Sequence, residues 1–290
     1  MADPPPFCPM QGRQQAARTI LKASRGHGHP MALSDITPVI IVRNAEKTIE
    51  TTLGSLEAFP RVVLYDNGST DCTLDLAARF PNVRVERGDF FGFGPTKNYA
   101  ASLAQTDWVF SLDADESASP ALLANLDRID LSNPARAYAM HRHNYFLGRR
   151  IRHAGWGDDW IVRLYHRRRH AYNDAMVHES VALGPGGRVE RLDGPLVHDA
   201  VLDLGQFLVK VDRYSELHRM STRDVLPAGL ILLRAAWAFF RTYILQLGVL
   251  DGWRGLVIAW SNADGAFYKH MKPYADRSVD HERKKSSHGR

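Results

Sequence analysis

The sequence has little cysteine, and its two cysteines, Cys8 and Cys72, lie far apart along the chain. Two such residues form neither a disulfide framework nor the closely spaced ligand pairs of a zinc knuckle. The first thirty residues also lack an apolar stretch long enough for a secretory signal. These absences argue against a disulfide-stabilised secreted domain, and we expect a reducing, cytosolic location.

No internal repeat or low-complexity block interrupts residues 36–201, and no pattern of interleaved aromatic and basic residues indicates a nucleic-acid-binding surface. We therefore expect no nucleic-acid partner. The formal net charge of +5 and the pI near 9.2 still favour a polyanionic partner, such as anionic lipid or a sugar diphosphate. With 290 residues, 44% of them hydrophobic, the chain suffices for one large soluble domain or two modest ones.

From Ile36 onward, short apolar runs typical of buried strands alternate with segments of helical pattern. The predicted strands are ITPVIIV, RVVLYD, NVRVE and DWVFSL. This alternation indicates an α/β fold, with a mostly parallel sheet and helices on both faces. Such sheets bind ligands at the carboxyl ends of their strands, where Asn44, Asp66 and Asp113 stand. Asn44 is also the expected N-cap of the first helix.

The pattern changes after Pro120. Residues 135–151 and 160–173 predict strands of a mixed or antiparallel extension, with arginines at the turns: Arg149, Arg150, Arg152 and 167–169. From Leu204 the chain is predicted to be helical.

One of these helical segments, AGLILLRAAWAFFRTYILQLGVL, is about long enough to cross a bilayer, which takes roughly 20 apolar residues. Arg234 and Arg241 interrupt it, and each would cost about 2.5–3.5 kcal/mol at the bilayer midplane. We therefore expect helices that lie on a membrane surface, with packing on the sheet or on a second subunit as the alternative.

Three carboxylates, Asp113, Asp115 and Glu116, surround one alanine at the end of the fourth predicted strand. Like charges this close repel, so a fold keeps them where they are solvated, cap a helix or hold a cation. Mg²⁺ or Mn²⁺ takes few protein carboxylates and completes its shell with phosphate oxygens. The cluster therefore predicts a divalent metal that also binds a diphosphate. Capping of the helix after Pro120 is the alternative.

Six motifs follow one another in the sequence: RNAEKTI, DNGSTD, PTKNYA, SLDADE, GWGDDWIVRLY and VHE. Their order resembles that of family 2 glycosyltransferases of the GT-A fold, over residues 36–272. Within this family the chain most resembles lipopolysaccharide-core β-1,4-glucosyltransferases, which add glucose to an inner-core heptose. The later GVLDGWRGLVIAW also resembles that branch. The resemblance implies a metal-dependent enzyme that transfers a hexose from a nucleotide sugar with inversion.

The resemblance implies roles for individual residues. The implied nucleotide-sugar contacts are Asn44, Glu46, Asp66, Lys97, Asn98, Asp113 and Arg163. The implied ligands of Mg²⁺ or Mn²⁺ are Asp115, Asp113 and His178, and His198 competes with His178 for this role. The implied catalytic base is Asp159, with Asp158 as the alternative.

The chain departs from the family pattern at three positions. Ala45 stands where a first glutamate is common, Lys97 replaces an arginine and so gives up bidentate geometry, and Asp158 replaces a frequent proline. Each assigned residue also has a structural alternative. Asp66 would hold the Asn67–Gly68 turn, Asp158 and Asp159 would pair with surface arginines, and His178 would be a hydrogen-bonded core histidine.

We expect four parts: a disordered extension at 1–33, with Met31 as an alternative start; a GT-A catalytic domain at 34–201; a helical membrane-surface region at 202–275; and a basic disordered tail at 276–290. The expected partners are a UDP-hexose donor, UDP-glucose above others, a lipid-linked saccharide acceptor and the inner face of the cell membrane. Alternatives are a polyprenyl-phosphate or exopolysaccharide glycosyltransferase of the same fold, and a non-catalytic membrane-associated nucleotide-sugar-binding protein. Donor sugar, linkage position and oligomeric state stay open.

Overall fold

The structure is a computed structural model that describes residues 32–174, 179–221 and 225–288. The predicted extension 1–33 lies outside these residues, except for Ala32 and Leu33. These two are buried in a short 3-10 helix, Ala32–Asp35. The chain divides into two compact units. The first unit comprises the chain up to Arg142 together with Trp160–Val197. The second unit comprises His143–Asp159 and the chain from His198 onward. The predicted boundary at residue 201 stays a prediction.

The first unit contains the predicted parallel strands. They are β1 (Ile36–Val42), β2 (Val62–Asp66), β3 (Val83–Arg87) and β4 (Trp108–Asp113), which pair in the order β3-β2-β1-β4. All three pairings are parallel. The carboxyl ends of β1, β2 and β4 therefore meet at one edge of the sheet, as the sequence predicts.

Helices cover both faces of this sheet. They are α1 (Ile49–Gly54), α2 (Thr73–Ala77), α3 (Phe93–Ser102) and α4 (Pro120–Leu126). Because side chains alternate along a strand, Ile36 and Ile40 of β1 belong to one apolar core, whereas Val39 belongs to a second. The prediction of helices on both faces is confirmed.

The predicted N-cap of the first helix is wrong. The helix α1 begins after Thr48, four residues beyond Asn44. Asn44 instead has a φ of 54°, in the left-handed region that asparagine tolerates better than most residues. In contrast, α4 is capped as its sequence suggests, because Ser119 Oγ accepts the N–H of Leu122.

The strands that follow β4 include the antiparallel extension, and the first of them, β5, precedes α4. They are β5 (Glu116–Ala118), β6 (Arg136–Phe146), β7 (Arg149–Arg150), β8 (Trp160–His166), β9 (Ala171–Tyr172), β10 (Val181–Ala182) and β11 (Arg188–Val201). The sheet order continues from β4 as β8-β6-β11-β5, with β4–β8 and β6–β8 antiparallel. The strands β9 and β10 form a separate antiparallel pair.

The second unit is mainly helical, as predicted. It contains α5 (Leu204–Ser221), α6 (Ala228–Phe240), a π-helical continuation (Arg241–Leu245), a 3-10 helix (Gly248–Asp251) and α7 (Trp253–His288). Its apolar core is formed by Phe146, Ile151, Ala154, Val201 and Ile258.

The disordered tail predicted from residue 276 is wrong within the described residues, because α7 continues as a helix to His288. The segment ADRSVDHERKKSSH contains no glycine or proline. Helix propagation adds one hydrogen bond per residue once a helix exists, so α7 extends through this segment.

In the described part of the chain, one helical stretch, Ala228–Leu245, is long and apolar enough to cross a membrane. Only 11% of this stretch is buried.

Candidate active site

The first group of predicted site residues lies where β1 and β2 end. The Asp66 side chain is buried, and its carboxylate accepts hydrogen bonds from the backbone N–H groups of Gly68, at 3.3 Å, and Ser69, at 3.1 Å. Gly68 has a φ of 90°, which a residue with a side chain adopts only with strain. Asp66 therefore holds the Asn67–Gly68 turn. This is the structural role given above as the alternative to a nucleotide contact. Its contact with a nucleotide stays a prediction.

Asn44 and Glu46 connect the loop after β1 to the loop after β2. The Asn44 side chain accepts the N–H of Thr70 at 2.8 Å, and Glu46 accepts the N–H of Cys72 at 3.2 Å. Both side chains are exposed to solvent. The structure thus brings Asn44, Glu46 and Asp66 to the same edge of the sheet.

Lys97 is buried in α3 and forms ion pairs with two carboxylates. Its Nζ lies 2.7 Å from Asp113 Oδ1 and 2.9 Å from Glu179 Oε1. The same ammonium lies 5.0 Å from the centre of the Tyr172 ring, within cation–π range. Because an unpaired buried charge is costly, these contacts explain how Lys97 stays buried.

Arg163 lies in the buried part of β8 and binds the same group of acids. Its Nη2 donates to Asp113 Oδ2 and to Glu116 Oε1, the latter at 2.6 Å, and its Nη1 donates to the Tyr172 hydroxyl at 3.1 Å. Glu116 is fully buried and also accepts from Arg142 at 3.2 Å. Both terminal nitrogens of Arg163 are therefore committed to protein contacts, whereas its buried Nε has no hydrogen-bond partner among the described residues. This arrangement does not favour the predicted nucleotide-sugar contact of Arg163.

Three cations and three carboxylates meet in this group and balance in charge. We call them the ion cluster: Lys97, Arg142, Arg163, Asp113, Glu116 and Glu179. Burial favours the neutral form of Asp113, but Arg163 and Lys97 outweigh it and hold the pKa of Asp113 well below its usual range. Burial likewise opposes the charge of Lys97, whereas Asp113 raises the Lys97 pKa above its ordinary value. Both groups are therefore ionised at neutral pH.

Asn98 binds the backbone of Tyr172 with both ends of its amide. Its Nδ2 donates to the Tyr172 carbonyl at 2.9 Å, and its Oδ1 accepts the Tyr172 N–H at 2.8 Å. This side chain attaches β9 to α3, and its predicted diphosphate contact gains no support from the geometry.

The site also contains Tyr172, Glu179 and Glu116, for which the sequence predicts no individual role, although Glu116 belongs to the predicted carboxylate cluster. Tyr172 joins Arg163 to Ser111 through its hydroxyl, and nothing in the sequence distinguishes this tyrosine from others. Glu116 and Glu179 stand inside the motifs SLDADE and VHE. Their acidic side chains, next to residues with predicted roles, were the signal that could have identified them.

The predicted metal ligands fit a metal only if substrate completes the site. In the part of the chain that the structure describes, no three His, Cys, Asp or Glu side chains are grouped to hold a metal ion. His178 lies outside the described residues. Both oxygens of Asp113 contact the cations of the ion cluster, which repel a divalent ion. Asp115 is half-buried in the turn between β4 and β5. Since Mg²⁺ binds one or two carboxylates together with water and phosphate, Asp115 fits a metal that is shared with a diphosphate.

In the second unit, the Asp159 carboxylate is held by Asn144. The Nδ2 of Asn144 donates to Asp159 Oδ2 and to the carbonyl of Trp156, both at 3.1 Å. The Oδ1 of Asn144 lies 2.6 Å from Nδ1 of His198. Asp159 is half-buried, whereas Asp158 is exposed. Of the two candidate bases, Asp159 is therefore the one that the fold orients.

A cavity of about 300 Å³ lies at the opposite edge of the parallel strands. Its lining includes Thr37, Arg61 and Asn82, near the amino ends of β1, β2 and β3. Parallel sheets bind ligands at the carboxyl edge, and none of the predicted site residues lines this cavity. We therefore place the candidate site at the carboxyl edge.

Comparison with known proteins decides the family. Residues 37–184, about half of the chain, match the family model described as glycosyl transferase family 2. The chain belongs to this family. Its mixed sheet, with parallel β3-β2-β1-β4 continued by antiparallel strands, is the GT-A fold that the motifs predict.

Two similar proteins extend over most of this glycosyltransferase. The lipopolysaccharide core biosynthesis glycosyltransferase LpsC of Rhizobium meliloti is 26% identical over 269 residues, which cover 85% of this chain and 98% of LpsC. An uncharacterized glycosyltransferase of Rickettsia typhi is 23% identical over 248 residues, which cover 78% of this chain and 82% of that protein. The predicted resemblance to enzymes of lipopolysaccharide core synthesis is confirmed by the first of these.

Among solved structures, S. aureus TarS in complex with UDP is similar to this glycosyltransferase. It is 15% identical, with a TM-score of 0.42, over 83% of this chain and 91% of that one. TarS in complex with UDP-GlcNAc is 25% identical, with a TM-score of 0.32, over 37% and 35% of the two chains. TM-scores this low support no inference about the site.

Proposed function

We propose that this glycosyltransferase moves glucose from UDP-glucose onto an inner-core sugar of lipopolysaccharide and inverts the anomeric configuration. The observation that carries the proposal is the similarity to LpsC over 98% of that protein. The aligned region covers 85% of this chain. It therefore extends beyond the first unit and includes helical parts of the second.

Asp159 is the proposed general base. Its carboxylate accepts the proton of the acceptor hydroxyl while that oxygen attacks the anomeric carbon from the face opposite the diphosphate. The bond from the anomeric carbon to the diphosphate breaks, and its electron pair leaves with UDP. A positioned base contributes about 10²–10⁴-fold to such a step. One displacement inverts the configuration and requires no covalent adduct of sugar and enzyme.

Asp115 is the proposed ligand of Mg²⁺ or Mn²⁺, which would neutralise charge on the departing diphosphate. We do not assign Lys97 and Arg163 to direct phosphate contact, because Asp113, Glu116 and Glu179 already balance their positive charges. In this proposal the ion cluster fixes the end of β4, two residues before Asp115, and so holds the metal-binding turn in place.

Replacing Asp159 by asparagine tests the assignment of the base. We expect Asp159→Asn to lower turnover of UDP-glucose on truncated lipopolysaccharide by about 100-fold or more. UDP affinity, measured by isothermal titration calorimetry, should stay close to that of the wild type. Asp158→Asn makes the same change at the exposed neighbour and serves as the control. Full activity in Asp159→Asn refutes the assignment, and a loss confined to Asp158→Asn transfers the role to that residue.

An acceptor panel tests the proposed substrate. Purified enzyme is given UDP-glucose and either truncated lipopolysaccharide or polyprenyl phosphate, and release of UDP is measured. The proposal predicts UDP release with the lipopolysaccharide acceptor. Release with polyprenyl phosphate alone would favour the alternative enzyme of the same fold.

We further propose that the second unit holds the enzyme on the inner face of the cell membrane. Large apolar side chains are exposed along α6, the following turn and the start of α7: Trp237, Phe240, Leu245, Leu250, Trp253 and Trp260. Tryptophan and apolar residues of this kind bury well at headgroup depth. Arg149 and Arg152 of the same unit are exposed and suit anionic lipid. Arg167 and Arg168 instead contact Asp107 in the first unit, so we do not assign them to the membrane.

Co-sedimentation with vesicles tests this localisation. We expect the wild type to bind phosphatidylglycerol-containing vesicles, and a Leu250→Glu, Trp253→Glu variant to lose most of this binding. Val189→Glu introduces a charge at an exposed apolar residue of β11 and should bind like the wild type. Equal binding by all three proteins would contradict the proposed surface.

A further inference from the structure

We infer that Asn144 is a positioning residue that orients Asp159 and fixes a proton on Nδ1 of His198. The inferred effect on turnover rests on the proposed function, in which Asp159 is the base. The inferred proton position on His198 depends only on the hydrogen bonds of the second unit. The two parts can therefore fail separately.

The orientation of the Asn144 amide follows from its partners. The side chain is buried, at 5% exposure, and one end lies 3.1 Å from both Asp159 Oδ2 and the Trp156 carbonyl oxygen. A carbonyl oxygen and an ionised carboxylate only accept hydrogen bonds. The end of the amide that faces them must be the NH₂ group, because the opposite orientation would place an oxygen against two acceptors.

The proton on His198 follows from the other end of the same amide. Once Nδ2 is assigned, Oδ1 of Asn144 is an acceptor, and it lies 2.6 Å from Nδ1 of His198. At this distance Nδ1 must carry the hydrogen. When His198 is neutral, its lone pair is therefore on Nε2. Water favours the opposite tautomer for a free histidine side chain, so the protein imposes this arrangement.

The contacts of Asn144 restrict the movement of the Asp159 side chain. Asn144 stands on β6, and its backbone carbonyl accepts the N–H of Ile151 at 2.9 Å. Its side chain reaches both the loop that contains Trp156 and Asp159 and the histidine on β11. One amide thus connects two strands and the loop before β8. Without its NH₂ group, the Asp159 carboxylate loses a hydrogen bond that fixes its rotation.

Two substitutions separate the two roles of Asn144. Asn144→Asp keeps an oxygen that accepts from His198, but in its ionised form the new carboxylate has no hydrogen to donate to Asp159. Asn144→Ala removes both contacts. As a matched control, Asn125→Asp makes the same change at an amide of the first unit that donates to the Asp193 carbonyl at 2.9 Å.

The proton position is measured by long-range ¹H–¹⁵N correlation spectra of protein labelled at histidine nitrogen. The His198 signals are identified by their loss in His198→Gln. We expect the Nδ1–H form in the wild type and in Asn144→Asp, and a shift toward the Nε2–H form in Asn144→Ala. An Nε2–H form in the wild type would overturn the assignment. Circular dichroism checks the fold of each variant, and the wild-type and Asn144→Asp spectra decide the matter even if Asn144→Ala does not fold.

The orienting role is measured by steady-state kinetics. We expect kcat of Asn144→Asp to fall by about 10–100-fold, since small misplacements of a catalytic group have effects of this size. KM for UDP-glucose should change little, and Asn125→Asp should match the wild type in both constants. A wild-type kcat in a folded Asn144→Asp protein would refute the orienting role. If the wild type itself transfers no sugar, the proposed function fails, whereas the histidine spectra still test the proton position.

Discussion

Replacement of Glu116 by glutamine probes how much the ion cluster contributes to folding. Glu116 is fully buried. Its Oε1 accepts from Arg163 at 2.6 Å and from Arg142 at 3.2 Å, and its Oε2 accepts the backbone N–H of Asp113 at 3.1 Å. Glutamine keeps the shape and one acceptor oxygen but removes the charge. The cluster, which is balanced in the wild type, then carries one excess positive charge.

The magnitude follows from these contacts. Hydrogen bonds that involve a charged group contribute about 1.5–3 kcal/mol each, and neutral ones about 0.5–1.5 kcal/mol. Glu116 makes two bonds to guanidinium groups, and the glutamine NH₂ cannot replace the acceptor for Asp113 N–H. Removal of one partner from a buried ion pair costs about 3–5 kcal/mol because the remaining charge stays buried. We expect the free energy of unfolding to fall by about 3–5 kcal/mol, which is a large share of a typical stability of about 5–15 kcal/mol.

Urea unfolding, followed by circular dichroism and tryptophan fluorescence, measures this loss. Glu50→Gln is the matched control, because Glu50 pairs with Arg79 at 3.3 Å while both side chains are exposed. An exposed pair contributes about 0–1 kcal/mol. If Glu116→Gln loses no more stability than Glu50→Gln, the reasoning about the ion cluster is refuted.

Two further predictions concern acid stability and helix packing. Burial opposes ionisation of Asp113, yet its basic partners lower its pKa. Its pairing therefore stabilises the fold fully at pH values above about 3.9, the ordinary pKa of aspartate in an unfolded chain. This stabilisation decreases as the pH falls below that value. The stability difference between wild type and Asp113→Asn, measured by urea unfolding, should be constant near neutral pH and shrink below about pH 4; a difference that grows in acid would contradict this. In α7, a Cβ at Gly255 would lie 1.8 Å from the Gly248 carbonyl oxygen, whereas a Cβ at Gly265 meets nothing closer than 3.8 Å. Thermal unfolding should show Gly255→Ala destabilised by about 1–3 kcal/mol and Gly265→Ala stabilised by up to about 1 kcal/mol; equal effects would refute the close approach.

Much of the fold could be predicted because its signals are local. Three of the four parallel strands, β1, β2 and β4, are apolar runs in the sequence, since a strand buried on both faces is apolar throughout. The change of pattern after Pro120 marks the antiparallel strands. The wrong N-cap at Asn44, in contrast, has a long-range cause. Its side chain has the right chemistry for a cap, but it accepts from Thr70, a residue 26 positions away.

The candidate site was only partly predictable because its contacts are long-range. Lys97 and Glu179 are 82 positions apart, and Asn144 and His198 are 54 apart. The sequence identifies Asp113 and Arg163 as members of motifs, but it does not show that they bind each other. For that reason Asp113 looked like a metal ligand, whereas the structure shows it held between two cations.

The sequence by itself determined the parallel strands, the family and the candidate carboxylates of the site, because each depends on residue type and on spacing along the chain. The tertiary structure alone decided which charges neutralise one another, and that the Asn144 amide donates a hydrogen bond to Asp159. Strand order and burial set these pairings. Ion pairs and hydrogen bonds act only over a few ångströms. The number of residues between two positions in the chain does not determine how far apart their side chains lie in space.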